Sequence, residues 1–185
     1  EPERPFVFRA GQFLEWTLPH RAADSRGVRR YFTIASAPHE KQLLLTTKIS
    51  PDSSTYKKAL VALRPGEEIT ISNREGEFVL PADQRVKLVF AAGGIGATPF
   101  RSILKDLLDR REQRDIVLLY SCRRAIDIAF RDIFEEANRK LSLKLAYTLT
   151  EEKDPAWQGL RGQIDESMVK TQVPENRIIG RFIVI

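Results

Sequence analysis

Short stretches of alternating hydrophobic and polar residues fill most of the first 80 positions of the chain. Alternation with a period of two is typical of β-strands that bury one face, and turn-forming residues separate the stretches. One segment differs, because residues 56–63 carry their apolar side chains on one helical face before a Pro-Gly break. Several short strands with one small helix predict a closed antiparallel β-barrel. The predicted strands span residues 12–18, 29–36, 42–49, 68–73 and 77–80.

The pattern changes after a polar break at residues 81–84. Nearly all-apolar runs follow, as expected of strands that are buried on both faces. Between them, apolar residues recur at helical spacing around residues 100–108 and 130–141. The sequence therefore predicts two domains, an antiparallel β-barrel over residues 1–84 and an α/β parallel-sheet domain over residues 85–185. The predicted parallel strands span residues 88–92, 116–121, 143–150 and 181–185.

Composition narrows the class of protein only slightly. The chain has 185 residues, a net charge of +5 and one cysteine, Cys122, which we expect to be a structural thiol. A reducing, cytoplasmic setting is expected, with a tether to a membrane domain outside this segment as the alternative. No transmembrane segment and no metal site are expected. The basic residues are scattered, which predicts no nucleic-acid binding and leaves a solvated surface or an acidic redox partner as alternatives.

A glycine-dense turn joins the first predicted parallel strand to the helix after it. Gly93, Gly94 and Gly96 allow close approach of a ligand to the main chain. Thr98 is predicted to cap the helix and Pro99 to occupy its first position. A strand, a glycine turn and a helix N-terminus in this order suit a phosphate group. The alternative is a tight turn whose glycines serve packing alone.

A second candidate site lies on the predicted strand 29–36, which contains the sequence Arg30-Tyr31-Phe32-Thr33. Alternation places Arg30 and Phe32 on one face of the strand, and Tyr31 and Thr33 on the other. A guanidinium suits a diphosphate, an aromatic ring offers a stacking surface, and a hydroxyl can bond a polar ring edge. The alternative is a barrel strand with an exposed arginine.

Together these motifs resemble those of the ferredoxin–NADP reductase family, in which a flavin-binding barrel precedes a nicotinamide-nucleotide domain. That family carries Arg-x-Tyr/Phe-Ser/Thr and Gly-Gly-x-Gly-x-Thr-Pro, here Arg30 to Thr33 and Gly93 to Pro99. Residues 10–13 and 157–164 are similar to two further motifs of the family. The resemblance covers nearly the whole chain. It also implies an incomplete segment, without the first barrel strand and without the loop that follows the last parallel strand.

The resemblance implies a flavoprotein that passes a hydride from NADPH or NADH to FAD, and electrons onward to an iron–sulfur, haem or other redox partner. Arg30 would hold the flavin diphosphate and Phe32 would lie against the flavin ring. Thr33 would bond near the reactive nitrogen and is the expected catalytic residue. The remaining flavin-binding residues implied are Tyr31, Ile34, Ala35, Ser36, Lys48, Ser54 and Thr55.

For the nicotinamide nucleotide, the resemblance implies that the glycine turn lies under the pyrophosphate. The choice of coenzyme falls to the end of the second parallel strand, where Ser121 and Arg123 suit a 2′-phosphate and Asp127 suits a free ribose hydroxyl. Two other functions stay open. One is an electron-transfer module of a larger membrane-attached complex, and the other is a nucleotide-binding regulatory domain without flavin.

Overall fold

The computed structural model describes residues 6–173 and the backbone of residues 181–184. Its first part is a three-stranded antiparallel sheet of order β2-β1-β3. Leu14 lies opposite Phe32 and Trp16 opposite Arg30, so these four side chains share one face of the sheet. The elements are β1 (Phe13–Thr17), β2 (Arg29–Thr33), helix α1 (Thr55–Ala62) and β3 (Thr70–Ile71). We call this part the antiparallel unit.

The core of the antiparallel unit lies between the sheet and α1. Leu14, Ile34 and Tyr56 are fully buried there, and the Tyr56 hydroxyl donates a hydrogen bond of 3.0 Å to the Trp16 carbonyl. Helix α1 begins after Ser54, whose hydroxyl accepts a hydrogen bond from the Lys57 amide at 3.3 Å. Capping at this position satisfies an amide that the first helical turn leaves without a partner.

Two predicted strands of this unit are wrong. Residues 42–49 are irregular apart from one bridge between Leu45 and Ile34, and residues 77–80 form no strand. Their β-rich composition is not enough, because a strand also needs a neighbouring backbone in register along its length. The antiparallel, barrel-like character of the unit is confirmed, although no closed barrel forms among the described residues.

The second part is a five-stranded sheet of order β7-β6-β5-β4-β8, whose neighbouring strands all pair in parallel. We call it, with its helices, the parallel unit. Its elements are β4 (Leu88–Gly93), a 3-10 helix (Gly94–Ala97), α2 (Thr98–Arg110), β5 (Ile116–Cys122), a 3-10 helix (Ala125–Asp127), α3 (Arg131–Lys140), β6 (Leu143–Leu149), β7 (Leu160–Arg161), α4 (Glu166–Gln172) and β8 (Arg181–Val184).

Burial on both faces explains why β4 and β5 are apolar throughout. Phe90 and Leu118 point into the core beneath α2 and α3, whereas Val89 and Val117 point into a second core that includes Val169 of α4. The rings of Phe90 and Phe100 stack at 4.6 Å between centroids. Burial of each such side chain contributes about 1.5–3 kcal/mol. The predicted α/β parallel-sheet architecture is confirmed.

The two units contact each other through α2. Ala10 and Phe78, which precede the polar break in sequence, belong to the core of the parallel unit. The Phe78 ring meets that of Phe100 edge to face at 5.5 Å. Within the described part of the chain, every helix is too short or too polar to cross a bilayer.

Candidate functional site

A cleft of about 910 Å³ lies where the two units face each other. One wall comes from the parallel unit, at the carboxyl ends of β4 and β5, where sheets of this kind bind ligands. The other wall comes from the antiparallel unit, from residues 46–50 and from α1. The structure thus brings together candidate residues that are far apart in sequence. The cleft is lined by Thr46, Thr47, Lys48, Ser50, Lys57, Gly93, Gly94, Ile95, Ser121, Cys122, Arg123, Asp127, Ala129 and Thr150.

The glycine turn presents main chain to the cleft. Gly94 has a φ of +51°, a left-handed conformation that favours glycine, and a Cβ built there meets no atom within 4 Å. The buried Tyr120 hydroxyl holds the turn by a hydrogen bond of 2.9 Å to the Gly94 carbonyl. Gly93 ends β4 in an extended conformation, and Gly96 lies in the 3-10 helix that follows. The turn is therefore an open backbone surface with a fixed shape.

The predicted helix cap at Thr98 is wrong, whereas Pro99 does lie in the first helical turn. The chain already coils as a 3-10 helix over Gly94–Ala97, so Ala97 precedes α2 in a helical conformation. The Thr98 hydroxyl instead donates a hydrogen bond of 2.7 Å back to the Ile95 carbonyl. Thr98 and Pro99 are both buried, so their role is to fix the turn and not to line the cleft.

Charged side chains at the end of β5 border the cleft in pairs. Arg123 lies 3.5 Å from Glu151, and both side chains are largely exposed. Asp127 lies 3.2 Å from Lys48 of the antiparallel unit and 3.6 Å from Arg124. Burial works to raise the pKa of Asp127, but these two cations outweigh it and the pKa is lowered. Sequence reasoning missed Glu151, which is brought beside Arg123 only by the pairing of β5 with β6.

The wall of the antiparallel unit carries hydroxyls and amines. Lys48 is in the cleft as predicted, and the Lys57 amine donates a hydrogen bond of 2.8 Å to the Lys48 carbonyl. Thr46, Thr47 and Ser50 also line this wall, and sequence reasoning missed them. The sequence does show a run of hydroxyl residues around Lys48. On the predicted strand, however, neighbouring side chains would point to opposite faces and would not line the same cleft.

Arg30 lies beside the N-terminus of α1. Its guanidinium is 5.1 Å from the centre of the Tyr56 ring and donates to the carbonyls of Arg26, Gly27 and Arg29. It also lies 3.3 Å from the carboxylate of Asp24. The hydrogen bond from Arg26 lowers the pKa of Asp24 to about 2, so this carboxylate stays charged.

Ser54 and Thr55 lie at the same end of α1 as Arg30. The Thr55 hydroxyl accepts a hydrogen bond from the Asp24 amide at 3.0 Å and lies 3.1 Å from the His20 ring. The predicted residues Arg30, Ser54 and Thr55 thus form one polar cluster at a helix N-terminus. A helix N-terminus beside a guanidinium is an arrangement that suits a phosphate group.

The predicted alternation along β2 is confirmed, since Tyr31 and Phe32 point to opposite faces of the sheet. The Tyr31 side chain is 62% exposed, and a hydrogen bond to Glu15 raises its pKa. Phe32 packs partly buried against the core, with its ring 6.1 Å from Tyr56. Thr33 is half-buried at the end of the strand. The more exposed of the two rings is that of Tyr31, which lies on the face of the sheet opposite to Arg30 and Phe32.

The side chains of Ile34, Ala35 and Ser36 are fully buried. The Ala35 and Ser36 carbonyls accept hydrogen bonds from Arg101 and Ser102 of α2. This placement corrects the expectation that the three residues continue along a flavin. Ile34 lies in the core of the antiparallel unit, and Ala35 and Ser36 contact α2 of the parallel unit.

Cys122 lines the cleft but is only 5% exposed. Burial raises the pKa of its thiol, so the protonated form predominates near neutral pH. Its Sγ lies 3.6 Å from the Asp127 carbonyl. These properties are those of a structural thiol, as expected from its position after a buried strand.

Comparison with known proteins agrees with this geometry. Residues 90–180 match the model of the oxidoreductase NAD-binding domain. The glycine betaine monooxygenase reductase subunit of Chromohalobacter salexigens is 28% identical over 92% of this chain and 46% of its own length. Ferredoxin–NADP reductase B of Sorangium cellulosum is 29% identical over 93% of this chain and 67% of its own length.

Among solved structures, the cytochrome P450 reductase GcoB of Amycolatopsis superposes with a TM-score of 0.74. It is 25% identical, and the match covers 91% of this chain and 50% of that one. The resemblance to the ferredoxin–NADP reductase family is confirmed by these similarities, and residues 90–180 are similar to oxidoreductase NAD-binding domains. The chain spans about half the length of several curated relatives that it matches, for example 46% of two of them.

Proposed function

We propose that this chain is the flavin- and nucleotide-binding part of a reductase that passes a hydride from NADPH or NADH to FAD, and electrons to a redox partner. Residues 1–84 would bind the flavin and residues 85–185 the nicotinamide nucleotide. The observation that carries the proposal is the cleft, because the glycine turn and the end of β5 face Lys48 and Lys57 across it. Two neighbouring sites are what a transfer between two bound cofactors requires.

The parallel wall fits a dinucleotide. The open main chain at Gly94 allows a pyrophosphate to approach, and the 3-10 helix and α2 that follow direct amides toward it. Binding of NADPH requires Arg123 to exchange Glu151 for the 2′-phosphate. Binding of NADH requires Asp127 to accept a ribose hydroxyl in place of Lys48. Both exposed ion pairs contribute less than about 1 kcal/mol, so either exchange is inexpensive.

The antiparallel unit offers a flavin nucleotide three groups of residues, of which Lys48 lines the cleft and the others lie outside its lining. Arg30, with Ser54 and Thr55 at the N-terminus of α1, would hold its diphosphate. Phe32, which shares a face of β2 with Arg30, would offer its partly exposed ring as a stacking surface, and Thr33 would offer a hydroxyl. Lys48 would add a positive charge on the side facing the glycine turn. A bound flavin supplies the hydride acceptor and the ability to release electrons singly.

The chain's own residues would bind and orient the two cofactors. The glycine turn sets the position of the nucleotide and β2 sets the position of the flavin. Thr33 is the residue we propose as catalytic, donating or accepting a hydrogen bond at the reactive edge of the ring. Loss of one such hydrogen bond lowers a rate by about 100-fold or more.

The test is an absorbance spectrum of the purified chain with and without added FAD, followed by anaerobic titration with NADH and NADPH. We expect a yellow complex that either nucleotide bleaches, with the more effective one identifying the coenzyme. A folded protein that ignores FAD contradicts the proposal and favours a regulatory nucleotide-binding domain. In the same assay, Thr33→Val is expected to keep its flavin and to be reduced more slowly.

The electron acceptor is proposed as an iron–sulfur or haem protein or domain in the reducing cytoplasm. Relatives named as monooxygenase reductase subunits and as a ferredoxin–NADP reductase support this class of partner. The net charge of +5 suits an acidic partner. Acceptor reduction should then slow as salt rises, because the attraction between exposed charges is screened.

A further inference from the structure

Arg101 of α2 is 8% exposed and bridges the two units. Its Nη1 donates a hydrogen bond of 2.9 Å to the Ala35 carbonyl and a second one to Glu40. Its Nη2 donates to Oε1 of Glu40 at 2.8 Å. The guanidinium thus makes a two-pronged bond to one carboxylate and also holds the backbone just after β2. Such a bond fixes direction as well as distance.

Other bonds fasten the same loop. The Ser102 hydroxyl donates a hydrogen bond of 2.6 Å to the Ser36 carbonyl, and the Ser36 hydroxyl accepts one of 3.1 Å from the Leu44 amide. The Ala37 amide donates a hydrogen bond of 2.6 Å to Glu40, so the carboxylate that pairs with Arg101 is itself held in place. We call Arg101, Ser102, Ala35, Ser36 and Glu40 the clamp.

The clamp is close along the chain to both halves of the proposed reaction site. Arg101 lies in the first turn of α2, directly after the glycine turn. Ala35 follows the end of β2 and Thr33 by two residues. A shift of the clamp therefore moves the glycine turn relative to Thr33. Neither Arg101 nor Glu40 lines the cleft.

We propose that Arg101 is a positioning residue, which sets the distance between the glycine turn and Thr33 and thereby aligns the two cofactors. This inference rests on the proposed function. Hydride transfer needs reacting atoms about 3–3.5 Å apart, and a misplacement of about 1 Å lowers the rate about 100-fold. Packing of apolar side chains alone tolerates small sliding between the units, whereas a bidentate ion pair does not.

The first test measures position without any cofactor. Nitroxide labels on Lys58→Cys in α1 and Arg139→Cys in α3, in a Cys122→Ser background, report the distance between the units by pulsed electron paramagnetic resonance. Both label sites are exposed. We expect Arg101→Met to broaden the distance distribution at least twofold. An unchanged distribution overturns the inference, whether or not the protein proves to be a reductase.

Arg114→Met is the matched control. Arg114 is 5% exposed and also bonds one carboxylate, that of Glu112, and two carbonyls, those of Pro81 and Asp83. None of these residues lines the cleft. We expect this variant to lose stability and to keep the distance distribution. Should Arg101→Met fail to fold, Glu40→Gln weakens the same bond and is measured in its place.

The second test uses the flavin-loaded protein. At saturating nucleotide, stopped-flow reduction of the flavin is expected to slow at least tenfold in Arg101→Met, with dissociation constants for flavin and nucleotide within threefold of wild type. Arg101→Lys keeps the charge but loses the bidentate hydrogen bond, so its rate of flavin reduction should lie between those of wild type and Arg101→Met. Wild-type rates in Arg101→Met overturn the inference. A wild-type protein that neither nucleotide reduces contradicts the proposed function instead.

Discussion

Among the ion pairs that join the antiparallel and parallel units in the described part of the chain, two differ clearly in burial. The side chains of Arg101 and Glu40 are 10% and 22% exposed, whereas those of Lys48 and Asp127 are 57% and 21% exposed, so the difference lies in the cation. The buried pair has further bonds to backbone, and the exposed pair lines the cleft. Burial makes the first pair hard to exchange, and exposure leaves the second free to exchange partners with an anionic ligand. One contact holds the units together and the other faces the ligand.

The largest expected effect is on the buried pair. Arg101→Met leaves the Glu40 carboxylate and the fully buried Ala35 residue without their guanidinium partner. We expect the free energy of unfolding to fall by about 3 kcal/mol, since breaking a buried pair from one side leaves an uncompensated charge. Urea unfolding followed by circular dichroism measures it. A loss no larger than that of Lys48→Met would remove the distinction between the two pairs.

Acid should weaken the buried pair next. Burial acts to raise the pKa of Glu40, but hydrogen bonds from Arg101 and the Ala37 amide outweigh it, so the pKa of this carboxyl group is lowered. A carboxyl group whose pKa is lowered by folding stabilises the protein above its unfolded pKa and loses that contribution as the pH falls through the folded pKa. Below about pH 4.3, wild-type stability should therefore decline more steeply than that of Glu40→Gln.

The measurement is the free energy of unfolding from pH 7 down to pH 3 for both proteins. Other carboxylates titrate in the same way in each protein, so the difference between the two curves isolates Glu40. Parallel curves would show that Glu40 has an ordinary pKa in the folded state.

A smaller effect is expected from the exposed pair. Lys48→Met should change the free energy of unfolding by less than about 1 kcal/mol. It removes a cation from the cleft, so the dissociation constant for the nicotinamide nucleotide should rise about fivefold, and less at high salt. Isothermal titration at two salt concentrations measures this. Lys58→Met is the control, because Lys58 is exposed on α1 and does not line the cleft.

The smallest effect on nucleotide binding is predicted for Asp127, the partner of Lys48. Asp127→Asn removes a negative charge from the cleft and releases Lys48, so nucleotide binding should tighten about twofold. The same titration measures it. Weaker binding of NADH in this variant would contradict this prediction and would indicate that Asp127 accepts a hydrogen bond from the ribose hydroxyl.

The prediction from sequence was accurate where one local rule was sufficient. The strands β4, β5 and β6 were predicted within about two residues, because strands buried on both faces must be apolar along their whole length. The glycine turn was found for a similar reason, since only glycine fits the left-handed conformation of Gly94 easily. These positions are specified by their own residues.

Predictions failed where a distant neighbour decided the outcome. Residues 42–49 have β-forming side chains, yet only Leu45 forms a bridge, with Ile34 just beyond the end of β2. Thr98 is a good capping residue, but Gly94–Ala97 already form a 3-10 helix, so Thr98 lies inside the helical segment and not at its start.

The order of the two units, the strands of the parallel sheet and the glycine turn follow from local residue patterns, because periodicity and backbone freedom act over a few residues. Which charges meet depends on the folded chain, since Arg101 and Glu40 are 61 residues apart in the sequence and Lys48 and Asp127 are 79 apart. Ion pairs form between side chains that folding brings within a few ångströms of each other, and no local pattern records that distance. The clamp and the cleft are therefore properties of the fold.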